Sequence, residues 1–223
     1  MNPTPEKTSV MAPFILMLFL YFIVGLFTVI NQQFQVPLKS ALLPHDGNMT
    51  NALVTLLNFS WFLAYPFSEG FATRWVDRLG YRKTSVYSLL IFIAGLGFYE
   101  AAVLLHIYAP SYITIMGNPI FTGFFIFLSG SFVIGMAVTI LQVVTGLYLD
   151  VNPVGKTTPL QRQMIGGTTN SIGMAIGPLV VSYIIFYGIP LHNVQSREFI
   201  WPVICLIAII CIFTLITARI KMP

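Results

Sequence analysis

Four carboxamides crowd into one apolar run ahead of Pro37: Asn31, Gln32, Gln33 and Gln35. Asn31 and Gln35 stand four residues apart, so a helix places them on one face with Gln32 beside them. Amides offer donors and acceptors without net charge, the chemistry that recognises a neutral polyhydroxylated solute. Two further amides lie inside later apolar runs. Gln142 is flanked by Thr139 and Thr145, and Asn170 lies in the stretch Thr168-Thr169-Asn170-Ser171. Polar side chains inside a bilayer face protein or water, because hydrocarbon leaves their hydrogen bonds unmade. Each therefore lines a cavity or ties helix to helix, and the first cluster has a third option as a wetted helix end. A solute site built from Asn31, Gln142 and Asn170 requires them to converge on one aqueous crevice.

Catalytic chemistry finds no such grouping. The sequence has no His-Glu-x-x-His, no paired intramembrane aspartates and no glycine-rich phosphate loop, and Phe127-Leu128-Ser129-Gly130 lacks the first glycine of Gly-x-Ser-Gly. His45, His106 and His192 are scattered over connectors and span ends, without metal-ligand spacing. Glu69 and Glu100 fall near span ends, Asp77 in a basic turn and Asp150 at another span end, so no carboxyl is placed for proton coupling in the first, fourth or fifth span. The chain is expected not to be an enzyme and to need no cofactor or metal.

The elements that position these residues belong in a membrane. Of 223 residues, 57% are hydrophobic and 8% charged, against about 25% charged in a soluble domain, and the mean hydropathy is +0.84. A spanning helix needs about 20 apolar residues. Six runs satisfy this, at 12–38, 51–73, 84–107, 121–149, 163–189 and 199–218. The fold class expected is an all-α integral membrane protein, one domain over residues 1–223 with six transmembrane helices. The first run is too long for a signal peptide and no small-residue cleavage site follows it. Gly173 and Gly177 have the Gly-x-x-x-Gly spacing that lets a neighbouring helix approach, and Pro178 permits a kink. Cys205 and Cys211 project from different faces of one helix and cannot pair; they read as packing residues.

The net charge of +4 does not point to nucleic acid, because the basic residues sit mostly in connectors. Arg74, Arg78, Arg82 and Lys83 follow the second span, Lys156 and Arg162 the fourth, and Arg219 and Lys221 the sixth. The opposite side carries only Lys39 and Arg197. Lys and Arg stay on the cytoplasmic side, so both termini are expected there, in a multi-pass protein of the cell (inner) membrane whose first partner is the lipid bilayer. Asn48-Met49-Thr50 is a formal glycosylation acceptor and reads as chance; Asn58-Phe59-Ser60 lies inside a span.

Asp77-Arg78-Leu79-Gly80-Tyr81-Arg82-Lys83 resembles the signature turn of the major facilitator superfamily, with Thr73 at the position of its opening glycine. The resemblance implies that Asp77, Arg78, Gly80, Arg82 and Lys83 form a cytoplasmic gate contact. It also implies the N-domain-like half of a twelve-helix fold, built as a 3+3 inverted repeat. Within that superfamily the chain is similar to the fucose–galactose–glucose:proton symporter family at three places. These are Asn170-Ser171-Ile172-Gly173-Met174-Ala175-Ile176-Gly177-Pro178 preceded by Arg162, Leu141-Gln142-Val143, and the first-helix amides ahead of Pro37-Leu38-Lys39.

The resemblance implies a secondary transporter for a small neutral solute, most simply a hexose, with Asn31, Gln32, Gln33, Gln142 and Asn170 in the substrate cavity. Several positions depart from the pattern. Gln33 stands where the family has the aspartate implicated in proton coupling, and Gln32 at its asparagine. Gly146-Leu147 replaces Asn-Pro, and Met164 and Gly167 replace two fifth-helix polar residues. Neutral residues there are compatible with symport to sodium, uniport or another solute. Six spans rather than twelve imply a carrier fragment, a partner for a separately encoded half, or a half-transporter that forms a homodimer. A structural or regulatory membrane subunit and a channel-like oligomer are the alternatives.

Overall fold

The computed structural model describes residues 10–43, 48–115 and 117–222. The connector at 44–47, with His45, lies outside the described residues. The elements are helices α1 (Met11–Gln33), α2 (Gln35–Leu42) and α3 (Asn48–Tyr108), strands β1 (Tyr112–Ile115) and β2 (Asn118–Phe121), and helices α4 (Thr122–Val151), α5 (Pro159–Leu179) and α6 (Ile200–Arg219). Five of these helices are long and apolar enough to cross a membrane, among the described residues, and α3 does so twice.

Gly80 divides α3. Its φ of 75° and ψ of 169° break the helix in a region that only glycine enters without strain. The rings of Trp75 and Tyr87 lie 6.3 Å apart, whereas along an unbroken helix residues 75 and 87 would be separated by about 18 Å. The chain therefore folds back at Gly80 into arms 48–79 and 81–108. The connector expected at 74–83 is helical but for this one residue. Beyond it, Thr84 and Ser85 return their hydroxyls to the Gly80 and Tyr81 carbonyls at 2.9 Å each.

Prolines shape two other spans. Pro37 has no N–H to give the Gln33 carbonyl, so the first span is interrupted at Phe34 and resumes as α2. Pro178 likewise frees the Met174 carbonyl, and Val180–Ile185 continue as a π-helical turn with the Phe186 N–H on the Val181 carbonyl at 3.1 Å. The connector between the third and fourth spans is not simply irregular. It forms an antiparallel hairpin, Tyr112 opposite Phe121 and Ile115 opposite Asn118, with Gly117 in the turn at φ 82°.

The α3 arms pack mainly on α4, and α1 mainly on α5. The α1–α5 seam is made of backbone. A Cβ on Gly173 would collide with the Phe22 carbonyl oxygen, and one on Gly25 with that of Asn170. Of α5, only Arg162, Gly166, Gly173 and Gly177 are buried, as expected where small residues let helices meet without side-chain interdigitation. The two cysteines are free, as their spacing requires, and Cys205 is exposed rather than packed.

Candidate functional site

Asn31 is 3% exposed, one turn before α1 is interrupted. Its Oδ1 accepts hydrogen bonds from the Tyr99 hydroxyl and the Ser131 hydroxyl, each at 3.1 Å, and its Nδ2 donates to Asn58 Oδ1 at 3.3 Å. Ser131 also reaches the Leu57 carbonyl at 3.1 Å. One amide thus joins α1, both arms of α3 and α4. The network sits among apolar rings, with Tyr99 stacked on Phe127 at 3.7 Å. The void beside it, lined in part by Asn31, Trp61 and Tyr99, has a volume of about 10 Å³, too small for any solute.

Asn170 has different surroundings. It is half-buried on the α1–α5 seam and its Nδ2 donates to the Tyr21 carbonyl at 3.0 Å. Its amide spans the two helices where Gly25 and Gly173 bring them together. Gln142 is half-buried on α4, and its backbone carbonyl accepts from Thr145 at 3.0 Å. Gln32 is exposed and Gln33 half-buried on α1. The convergence expected of Asn31, Gln142 and Asn170 is therefore not how the molecule uses these amides. The carboxamides of Asn31 and Asn170 are engaged in bonds between helices, because each lies at a crossing where a neighbouring helix supplies its partners.

Asn58, Tyr99 and Ser131 complete the buried network and were not among the expected site residues. Asn58 carries a signal in the sequence, as an amide inside an apolar run, although its Asn-x-Ser context points to glycosylation instead. Nothing in the spacing of Tyr99 or Ser131 marks them.

At the Gly80 end, Asp77, Arg78, Arg82 and Lys83 are all exposed around the half-buried glycine. Arg162 behaves differently from these cations. It is 3% exposed, and its guanidinium donates to the carbonyls of Leu149 at 2.6 Å, Thr157 at 2.7 Å and Asp150 at 2.8 Å. Thr158 starts α5 with a reciprocal capping box to Gln161, which fixes the turn from which Arg162 reaches the end of α4. The charge lies at the negative end of that helix. Among the described residues, no three His, Cys, Asp or Glu side chains group to hold a metal.

No protein-family model and no curated protein matches the chain. Among solved structures, the xylose transporter XylE from E. coli, in its inward-open conformation, superimposes with a TM-score of 0.63 over 96% of this chain at 15% identity. The fold is that of about half of the XylE structure. The chain spans 48% of XylE, about half its length. Five of the described helices are long and apolar enough to cross a membrane, as a multi-pass protein requires, and the helical architecture expected is the one observed apart from the β-hairpin.

Proposed function

We propose that the chain is a six-helix unit of a secondary transporter, moving a small hydroxylated solute by alternating access against a second six-helix unit. The observation that carries this reading is the likeness to half of XylE along almost the whole chain. It is an argument from fold, and the polar residues add the chemistry. A monosaccharide is the solute class that uncharged amides on α1 and α4 suit. Gln32, Gln33 and Gln142, whose side chains are not tied into the interhelical bonds described above, are the groups to meet its hydroxyls. Asn31 and Asn170 hold the helices that present them.

The second unit is a further part of a longer polypeptide, a separate chain, or another copy. The exposed charges around Gly80 suit a contact with it that opens and closes. The Lys and Arg of the connectors favour a cytoplasmic side for that end and for both termini, in the inner membrane.

Uptake of labelled hexose into proteoliposomes holding the complete carrier, with and without a pH gradient, tests the reading. Gln142→Ala is expected to cut uptake while leaving the helical signal and thermal midpoint intact; unchanged uptake would remove it from the site. No uptake of any monosaccharide would favour a structural subunit, a role the engaged amides of Asn31 and Asn170 also fit.

A further inference from the structure

Helices α5 and α6 pack on different neighbours, α5 mainly on α1 and α6 mainly on α3. Between them runs a groove of about 290 Å³, with α1 along its base, the π-helical turn after Pro178 as one wall and α6 as the other. Ile23, Phe27 and Ile30 of α1 are buried at the bottom, whereas Ile184 and Cys205, on the two walls, are exposed. Among the described residues, every lining side chain is apolar apart from the Tyr187 hydroxyl and the Cys205 thiol.

The dimensions of the groove are those of the bilayer. Tyr183 and Tyr187, after α5, and Trp201, at the start of α6, are exposed together at the hairpin end of the bundle, and amphipathic aromatics of this kind collect at the membrane–water interface. From that level the lining runs from Ile30 to Phe19 on α1 and from Pro202 to Phe213 on α6, about 16 Å of helix on each. One leaflet of a hydrocarbon core roughly 30 Å thick has nearly that depth. At the far end the Phe19 and Phe213 rings stack at 4.6 Å and close the groove. Its rims continue into the apolar exterior that meets the bilayer, through Leu179 and Ile184 on one side and Ile209 and Ile212 on the other. Water or a hydroxylated solute would leave its hydrogen bonds unmade here, and walls facing a void forfeit dispersion contacts.

We propose that this groove holds one acyl chain of a bilayer lipid, taken from the leaflet on the hairpin side. The ester end of the chain lies at the level of Tyr187 and Trp201, and its methyl end meets the Phe19–Phe213 stack. Packing selects it rather than hydrophobic transfer, because lipid tails are as apolar as the groove; what the chain supplies is a slender apolar body of one leaflet's length. The inference needs only the membrane-spanning architecture, and it stands whether or not the protein moves a solute.

The test is photolabelling of the full chain in nanodiscs of dioleoyl phosphatidylcholine, with a trace of the same lipid carrying a diazirine in one acyl chain, and mapping of the labelled residues by mass spectrometry. None of residues 21–30 of α1 is exposed, so lipid that merely surrounds the protein does not reach them. A diazirine near the ester is expected to label α1 near Ile30, and one near the methyl end to label it near Phe22 and Ile23. Ile184→Trp and Cys205→Trp, one on each wall, put an indole across the groove from exposed positions that tolerate it. Each should cut label on 21–30 about fivefold and leave label on the exposed Ile212 and Leu215 unchanged; either variant suffices if the other does not fold. Absence of label on 21–30, label that ignores the position of the diazirine, or label that both variants leave intact overturns the proposal. So does a second copy of the chain cross-linked across the groove with α1 unlabelled.

Discussion

The Tyr99 hydroxyl donates to Oδ1 of Asn31 at 3.1 Å, linking the second arm of α3 to α1 inside the bundle. Ser131 of α4 donates to the same oxygen, and Asn58 of the first α3 arm accepts from the same amide. Four helical segments are thereby fixed at one depth by a single side chain. Apolar packing in lipid has little preference for one helix register over another, whereas a shared amide has partners in only one. This is what makes Asn31 structural even though its residue type suits a solute.

Asn31→Leu should lower stability by about 2 kcal/mol, because it leaves the Tyr99 hydroxyl buried without its acceptor. Tyr99→Phe should cost less, since Ser131 and Asn58 still satisfy the amide. The double variant should cost less than the sum, as partners in one network do. Thermal midpoints of the detergent-solubilised chain measure all three; additive losses would show that the bond carries no coupling.

Two glycines of α5 should respond to alanine in opposite directions. Nothing lies within 4 Å of a Cβ placed on Gly167, so Gly167→Ala gains helix propensity, about 0.5–1 kcal/mol. On Gly173 the same methyl collides with the Phe22 carbonyl oxygen. Gly173→Ala must push α1 and α5 apart, at about 1–3 kcal/mol. Denaturation midpoints of the pair decide it, and a neutral Gly173→Ala would mean the seam is loose.

What the sequence made legible follows from what lipid forbids. Long apolar runs have one use, so the six spans and the fold class could be read directly; the Gly173–Gly177 spacing likewise announced a close helix contact. Which faces meet is another matter. Asn31 and Asn170 satisfy the same rule, that amides avoid hydrocarbon, whether they face a crevice or a neighbouring helix, and only coordinates distinguish the two. Arg162 was indistinguishable from Arg78 as a connector cation until its guanidinium proved buried. The β-hairpin was lost because Tyr112–Ile115 is too short to stand out from a connector.

Gly80 should not tolerate a side chain, although the space around it is open. The obstacle is its backbone at φ 75° and ψ 169°, where an L-residue is strained by about 1–3 kcal/mol. Gly80→Ala is expected to lower the midpoint, whereas Gly70→Ala, at an equally uncrowded helical position, should not. If the two behave alike, the reversal of α3 does not depend on glycine.

Arg162 offers a test of charge against geometry. Three carbonyls, on Leu149, Asp150 and Thr157, accept from its fork at 2.6–2.8 Å. Arg162→Met should cost about 3 kcal/mol, because buried acceptors at the end of α4 lose charged donors. Arg162→Lys keeps the charge at the negative end of that helix but replaces a planar fork with one point donor on a flexible stem. It should therefore recover less than half of the loss. Hydrogen exchange over 149–158 should rise in step with the drop in midpoint, since the turn between α4 and α5 would open first. Full recovery by lysine would mean that the helix-end charge, and not the three-way clasp, holds α4 to α5.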